Sequence, residues 1–408
     1  MGRIKMAIEA KKLKILVVSQ NYYPEQFRVT DICESLASMG HQVTVLTGKP
    51  CYGFPNGQIP SEYKKGKNSQ VINGVKVLRI NQYPRKTGFV NRFINYYSFA
   101  SKSAKAVKKL DKDFDVVLVN QLSPVFQIKA GAKYKKKNGA KLVVYCLDLW
   151  PESLLAGGIP KGSLPYKYYH KVSKKLYKNA DEILVTSKCF IDYFKQEFGL
   201  TNVEYLPQYA EDIFNSNDNN QKEKDQSQVN LTFAGNVGHA QSVDTIIKAV
   251  NELKDRKELK VHIVGDGEAL NSAIELSKEL GVEEKIIFHG RKPLSDMPTY
   301  YQMADAMLVT LTKDTFASMT MPGKVQTYMA TGKPIIASAN GETKTQIEQS
   351  KAGFTCDAED YMGLKDAIIT FLDCDQDKKK DLSKNALRYY EQNFTKDKFF
   401  TKLLQKLK

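Results

Sequence analysis

Short β-branched, apolar runs recur along this chain, each followed by a stretch with helical patterning, and the whole cycle occurs twice. In the first half the runs are Lys14 to Ser19, Gln42 to Thr47, Val75 to Ile80, Asp115 to Val119, Lys141 to Leu147 and Glu182 to Thr186. Strands that alternate with helices predict parallel pairing, with helices on both faces of the sheet. The second half restarts the cycle with Asn230 to Ala234, Lys260 to Val264, Lys285 to Phe288, Ala306 to Thr310 and Pro334 to Ser338. At 408 residues the chain exceeds the size at which a single core stops growing, so two doubly wound α/β domains are expected.

The expected boundaries follow from composition. Residues 1–12 form a basic, polar leader, and 13–210 form the first domain. The Asn/Asp/Lys/Gln-rich stretch 211–229 is a linker, and 230–385 form the second domain. Helical patterns continue through 386–408. Six scattered cysteines without CxxC pairs argue for a reducing compartment, hence the cytoplasm, and against a zinc site or a disulfide frame. None of the five histidines forms a pair with metal-ligand spacing. Charge is lopsided: Met1 to Ala210 carries 34 Lys+Arg against 15 Asp+Glu, a net +19, and the remainder carries 27 against 30, a net −3, which sum to the chain's +16. The first domain therefore attracts nucleic acid, anionic lipid or a phosphorylated substrate, and composition does not choose among them.

Ligands of doubly wound sheets bind beyond the carboxyl ends of the strands, so the loops there are the site candidates. After the first strand come Glu25 and Arg28, and after a later one the run Asp148-Leu149-Trp150-Pro151. Asp148 is either an N-cap for the helix that follows or a carboxylate serving a hydroxyl. In the second domain, Gly235-Asn236-Val237-Gly238-His239-Ala240-Gln241 joins a strand to a helix, where glycines allow close approach of a phosphate or simply make a turn. Gly265-Asp266-Gly267 starts like a dinucleotide fingerprint but has Leu270 where the third glycine belongs, which argues against NAD. Arg291 closes the Phe288-His289-Gly290-Arg291 turn. Thr320-Met321-Pro322-Gly323-Lys324 feeds a short helix whose apolar positions Val325, Tyr328 and Met329 make a one-sided stripe, ended by Gly332 and Pro334. Lys324 in that first turn opposes the helix dipole, a conflict that a bound anion relieves.

The Pro322-x-Lys324 loop, together with Asp148-Leu149-Trp150-Pro151-Glu152-Ser153 and Pro322-Gly323-Lys324-Val325-Gln326, resembles the family 4 glycosyltransferases, over nearly the whole chain from Lys14 onward. The subgroup resembled transfers N-acetylfucosamine or related sugars in O-antigen, capsule and colanic-acid assembly. The resemblance implies a retaining enzyme of the GT-B fold, with two Rossmann-like domains facing a cleft and a C-terminal helix crossing back to the first. It implies a UDP-sugar donor, no cofactor and no metal, and a polyprenyl-diphosphate-linked saccharide as acceptor. By that resemblance Lys324 grips the leaving diphosphate. Gly235, Asn236, Gly238, His239, Gln241, Gly265, Arg291, Thr320, Met321, Pro322, Gly323 and Thr327 surround the donor. Glu25, Arg28, Asp148 and Trp150 lie on the acceptor side. The sequence departs from the family pattern in two places. Asn236 and Gln241 stand at or near the places of an Arg and a Lys, and Met319 and Thr327 replace two glutamates eight positions apart.

A UDP-N-acetylglucosamine 2-epimerase would share the architecture but needs acidic and histidine groups that the cleft motifs lack. A nucleic-acid-binding protein would fit the charge, yet no helix-turn-helix, zinc finger or RNP-like motif is present. The aromatic and basic stretch Tyr83 to Lys112, with Tyr134-Lys135-Lys136-Lys137 and Lys171 to Lys178, predicts peripheral docking on an anionic inner membrane face.

Overall fold

A computed structural model describes residues 11–54, 57–214 and 227–408, so most of the expected leader and the middle of the expected linker lie outside the described residues. The chain divides into two compact units. One comprises the chain up to Val185, with Tyr193–Tyr205 and Leu403–Lys408, and the other comprises Thr186–Asp192 and Leu206–Lys402.

The first unit holds an eight-stranded sheet of β1 Lys14–Val18, β2 Gln42–Gly48, β3 Ser69–Ile72, β4 Val75–Ile80, β5 Val116–Gln121, β6 Lys141–Cys146, β7 Glu182–Val185 and β8 Val203–Tyr205. Their order is β3-β4-β2-β1-β5-β6-β7-β8. β1 lies in the middle, and Ile15 to Val18 are buried on both faces, as a parallel strand covered by helices requires. The expectation of a purely parallel sheet is corrected at one edge, where β3 pairs antiparallel with β4. Asn73 and Gly74 join those two strands with φ of 46° and 82°, the left-handed pair that a two-residue hairpin demands.

The second unit holds six parallel strands, β9 Val229–Ala234, β10 Leu259–Val264, β11 Ile286–Gly290, β12 Ala306–Thr310, β13 Ile335–Ser338 and β14 Gly353–Cys356, ordered β11-β10-β9-β12-β13-β14. Phe233, Ile263, Leu308 and Ile336 of this sheet pack with Ile246, Ile247 and Val250 of the helix Val243–Asn251. Strand order reverses between β1 and β5 in one sheet and between β9 and β12 in the other, so the loops after those strands flank the natural ligand crevices.

The expected linker is corrected at its start. Asp212–Phe214 form a 3-10 turn, and the buried Phe214 stacks on Tyr301 with ring centres 4.9 Å apart. The C-terminal helices are Gln376–Asn393 and Lys396–Leu407, the last turn of which belongs to the first unit. There Lys406 pairs with Glu204 and reaches Glu182 at 3.8 Å.

Candidate functional site

The helix Gly323–Ala330 begins at Pro322, which offers no side-chain cap, and Val325 N–H donates to the Pro322 carbonyl at 3.0 Å, so the amides of Gly323 and Lys324 are the ones without a side-chain cap. The helix is not the one-sided element its apolar spacing suggests, because Val325 to Ala330 are all buried. Its orientation is fixed by Tyr328, whose hydroxyl accepts from the Ala234 amide and donates to the Ala234 carbonyl, both at 3.0 Å. One turn earlier, Lys324 folds back over the end of β9. Its Nζ lies 3.9 Å from the centre of the Phe233 ring and 3.0 Å from where a side chain on Gly235 would begin. Loss of water around this ammonium lowers its pKa from the ordinary lysine value to about 7.

Gly235, with φ of 133°, thus keeps room for Lys324, and the neighbouring glycines serve backbone packing. A Cβ on Gly265 would stand 1.7 Å from the Gly235 carbonyl, and one on Gly267 2.3 Å from the Val237 carbonyl. The two loops are laced by Gly235 N–H to Val264 O and Val237 N–H to Asp266 O, and Gly265 N–H ties the second of them to Gly290 O at the end of β11, each at 2.9 Å. Close loop packing, and not a dinucleotide fingerprint, explains the Gly-Asp-Gly spacing.

Asn236 and Gln241 turn toward each other with amide groups 2.9 Å apart, and Gln241 Oε1 accepts from Gly238 N–H at 3.1 Å. They rigidify the loop and add no charge. His239 and Arg291 are exposed, and Met321 is buried. A hollow of about 390 Å³ beside Gly238 and His239 is edged by Asp244, Glu275 and Glu279, an acidic rim unsuited to a diphosphate. Thr320 is held by its Oγ1 on Phe316 O and by Thr343 Oγ1 on its own carbonyl, both 2.9 Å.

Three polar groups join this site that sequence reasoning missed. Gln208 Oε1 lies 3.3 Å from where a Cβ on Gly323 would stand, Glu211 Oε2 accepts from Thr327 Oγ1 at 3.4 Å, and Ser187 Oγ donates to the Met319 carbonyl. Glu211 brings a carboxylate to the helix that lacks one in its own sequence. The signal was there in part, since Ile213 and Phe214 interrupt the polar run with apolar side chains. A histidine pair also escaped notice: His262 and His289 meet at 3.0 Å, with His262 also on Asn230 Oδ1, and burial lowers both pKa values, that of His262 to about 4.

In the first unit, Asp148 follows β6 and is not an N-cap. The 3-10 turn after it, Glu152–Gly157, starts from Pro151, and the carboxylate instead accepts from Ser153 Oγ at 2.6 Å and from Ser123 Oγ. Ser123 Oγ in turn accepts from Trp150 Nε1 at 2.8 Å, which explains the buried Trp150. Burial raises the Asp148 pKa against the pull of these donors. Glu25 does not present its carboxylate outward. It is buried and accepts from the amides of Cys51 at 2.8 Å, Tyr52 at 2.6 Å and Tyr22 at 3.3 Å, closing the loop after β1. Arg28 opens the helix Arg28–Ser38 and is half-buried.

Two doubly wound units, with a lysine and a helix N-terminus at the switch point of one, are the parts of a GT-B glycosyltransferase. Residues 26–208 match Glycosyltransferase Family 4 and residues 214–389 match Glycosyl transferases group 1, so the chain carries the two domains of that class and is a glycosyltransferase. It is 24% identical over 357 residues to WcaI of Escherichia coli K12, named as a colanic acid biosynthesis glycosyl transferase, covering 81% of this chain and 84% of that protein. Identity to the glycosyltransferase WbjE of Pseudomonas aeruginosa is 26% over 279 residues, covering 64% and 67%. Anabaena Alr3699/HepE, solved in complex with UDP and glucose, shares the fold with a TM-score of 0.70 at 16% identity, over 97% of this chain and 99% of that one.

Proposed function

We propose that this protein is a retaining glycosyltransferase that moves N-acetylfucosamine, or a related amino or 6-deoxy sugar, from a UDP-sugar to a polyprenyl-diphosphate-linked saccharide. The product enters a cell-surface polysaccharide, and the work is done at the cytoplasmic face of the plasma membrane. The observation that carries this reading is Lys324. A half-buried ammonium, partly desolvated, at the uncapped N-terminus of a helix suits the two negative charges of a departing diphosphate.

In the reaction the acceptor oxygen forms a bond to the anomeric carbon as the bond from that carbon to the diphosphate oxygen breaks. Both events occur on one face, so configuration is retained and no protein nucleophile is needed. The acceptor proton passes to the leaving diphosphate. Lys324 and the helix amides then supply charge and position to the leaving group, and Asp148 is the residue proposed for the acceptor hydroxyl. The named pathway of WcaI supports the polysaccharide assignment, and the UDP in Alr3699/HepE supports the nucleotide.

A thermal-shift panel of nucleotide sugars tests the reading. A ligand at a hundred times its dissociation constant stabilises by about 2.7 kcal/mol, and the expected responders are UDP and UDP-sugars. An equal response to GDP- and UDP-sugars, or none to either, would sink the donor assignment.

A further inference from the structure

The register of the first sheet brings two polar residues together. β5 and β6 run parallel with Gln121 opposite Cys146 as their last partners, so Ser123 and Asp148, each two residues further on, leave the sheet side by side. The backbone there is already fixed. Gln121 Nε2 donates to the Asp148 carbonyl at 2.8 Å, and Gln121 Oε1 accepts from the Tyr177 hydroxyl, also at 2.8 Å, so what is left to settle is the rotation of the carboxylate.

Donor and acceptor chemistry settles it, and in one direction. An indole N–H donates and never accepts, so the 2.8 Å contact between Trp150 Nε1 and Ser123 Oγ makes the serine oxygen the acceptor. The one hydroxyl proton of Ser123 then goes to Asp148 Oδ2. Ser153 supplies a second donor, to Oδ1 at 2.6 Å, but its proton has an alternative in the Leu149 carbonyl at 2.7 Å. The Ser123 bond is the better directed of the two, because the indole fixes which way its hydroxyl points.

Trp150 is a rigid anchor for this chain of bonds. It is 2% exposed, with the Phe126 and Tyr169 rings each 5.9 Å from its own and Phe93 of the helix Phe89–Ala106 at 6.5 Å. Asp148, by contrast, is half-buried. A carboxylate has about four acceptor positions, so lone pairs remain on Asp148 for a substrate hydroxyl.

We infer that Ser123 is a positioning residue for the transfer reaction: oriented by the Trp150 indole, it holds the Asp148 carboxylate ionised and turned so that its remaining lone pairs meet the acceptor hydroxyl. The inference rests on the role proposed above for Asp148 and names the residue that maintains it. Charge is the physical reason. A donor aimed at the ionised carboxylate stabilises that form while burial opposes it, and for Asp148 burial is the larger effect, so each donor counts. The titratable neighbours do not share this titration. Burial pushes the Cys146 thiol at the end of β6 up to about 12 and holds the Tyr177 hydroxyl, on the helix Leu164–Tyr177, well above the usual phenol range. Both stay neutral where Asp148 changes charge.

Trp150 is the only tryptophan in the chain, so a ¹⁵N-tryptophan sample of the full protein shows a single indole N–H resonance. In the native chain that resonance should titrate with a midpoint above the ordinary aspartate value of about 3.9, and Asp148→Asn should abolish the titration. Ser123→Ala should abolish it too, and should move the acid limb of kcat up by about one pH unit, a tenfold change in proton affinity. KM for the donor and the thermal response to UDP should not change in that variant. Ser123→Thr, which restores the hydroxyl, should bring back both the titration and the acid limb. Ser153→Ala should raise the midpoint while the indole goes on titrating, since the path from Trp150 through Ser123 to Asp148 is left whole. An indole resonance indifferent to pH in the native chain would overturn the inference. So would a kcat limb that stays in place in Ser123→Ala while the melting temperature falls, for Ser123 would then be only a structural partner of Trp150. The titration needs no substrate. Absence of transfer by the native chain to any lipid-linked acceptor, with the indole titrating as described, would therefore fault the proposed function and leave the hold of Ser123 on Asp148 standing.

Discussion

The ammonium of Lys324 lies 3.9 Å from the centre of the Phe233 ring. This is a half-buried cation held over the negative face of an aromatic ring, and desolvation lowers its pKa to about 7. A lysine in that state costs the empty protein stability and has strong reason to meet an anion.

Replacing Lys324 should therefore separate stability from activity. The unfolded lysine binds its proton up to about pH 10.4, while the folded one releases it near pH 7. On this group alone stability is lowest at and below pH 7 and rises with pH up to the unfolded value. Lys324→Met should raise the melting temperature at pH 6, and transfer should fall at least a hundredfold, roughly 2.7 kcal/mol of lost transition-state stabilisation. UDP binding to the native protein at pH 8 should take up close to one proton, measured by calorimetry in buffers of different ionisation enthalpy. Near-normal turnover in the variant, or no proton uptake, would count against the assignment.

Asp148 is braced by Ser123, Ser153 and Trp150, and its raised pKa means that it takes up a proton at a higher pH than an ordinary carboxylate. Activity that needs the ionised form should fall on acidification above the usual carboxylate range. Asp148→Asn should leave the UDP response intact and reduce kcat by about a hundredfold or more. A variant that merely melts earlier, with kcat retained, would show the carboxylate to be a brace for Trp150.

Glu211 reaches Thr327 from outside the helix, one turn along from Lys324. A carboxylate there is expected to accept from hydroxyls of the nucleotide-sugar donor. Glu211→Gln should raise KM for the donor about tenfold, equivalent to about 1.4 kcal/mol, with kcat little changed. An unchanged KM would restrict Glu211 to tethering its own segment.

Gly265 has no room for a side chain, since a Cβ would stand 1.7 Å from the Gly235 carbonyl at a φ of 155°. Gly265→Ala should cost about 2–4 kcal/mol of stability and abolish the UDP response by pushing the Gly235 loop off Lys324. Gly281→Ala is the control: its φ is 62° with nothing within 4 Å of the added Cβ, so only about 1 kcal/mol should be lost. Equal melting temperatures for the two variants would refute the loop-packing account.

Local patterning determined a great deal of this protein. Val75–Ile80 and Ala306–Thr310 are strands over the same residues that their sequence runs predict: the first alternates in burial, with Val75 and Val77 inward and Lys76 outward, and the second is a buried parallel strand that leaves a continuous apolar stretch. The strands that were not legible, Ser69–Ile72, Val203–Tyr205 and Gly353–Cys356, are three or four residues long and lie at or near sheet edges, where partial burial leaves little pattern. Asn73-Gly74 was a readable hairpin signal at the first of them. Lys324 and Asp148 were legible as chemistry from their place after strands, but their electrostatic states were not. Those depend on Phe233 lying beneath one and Ser123 beside the other, 91 and 25 residues away in sequence. Glu211 was hidden for the same reason, since a carboxylate in a polar run carries no mark of the helix it will meet. The outward division of Val90, Ile94 and Tyr97 from Tyr96 and Phe99 needed the packing itself: an aromatic-rich helix reads alike in sequence whether its second face meets a core, a bilayer or water. Sequence fixes which residues share a face through a local period, whereas what that face meets is a sum over distant neighbours that only the tertiary fold supplies.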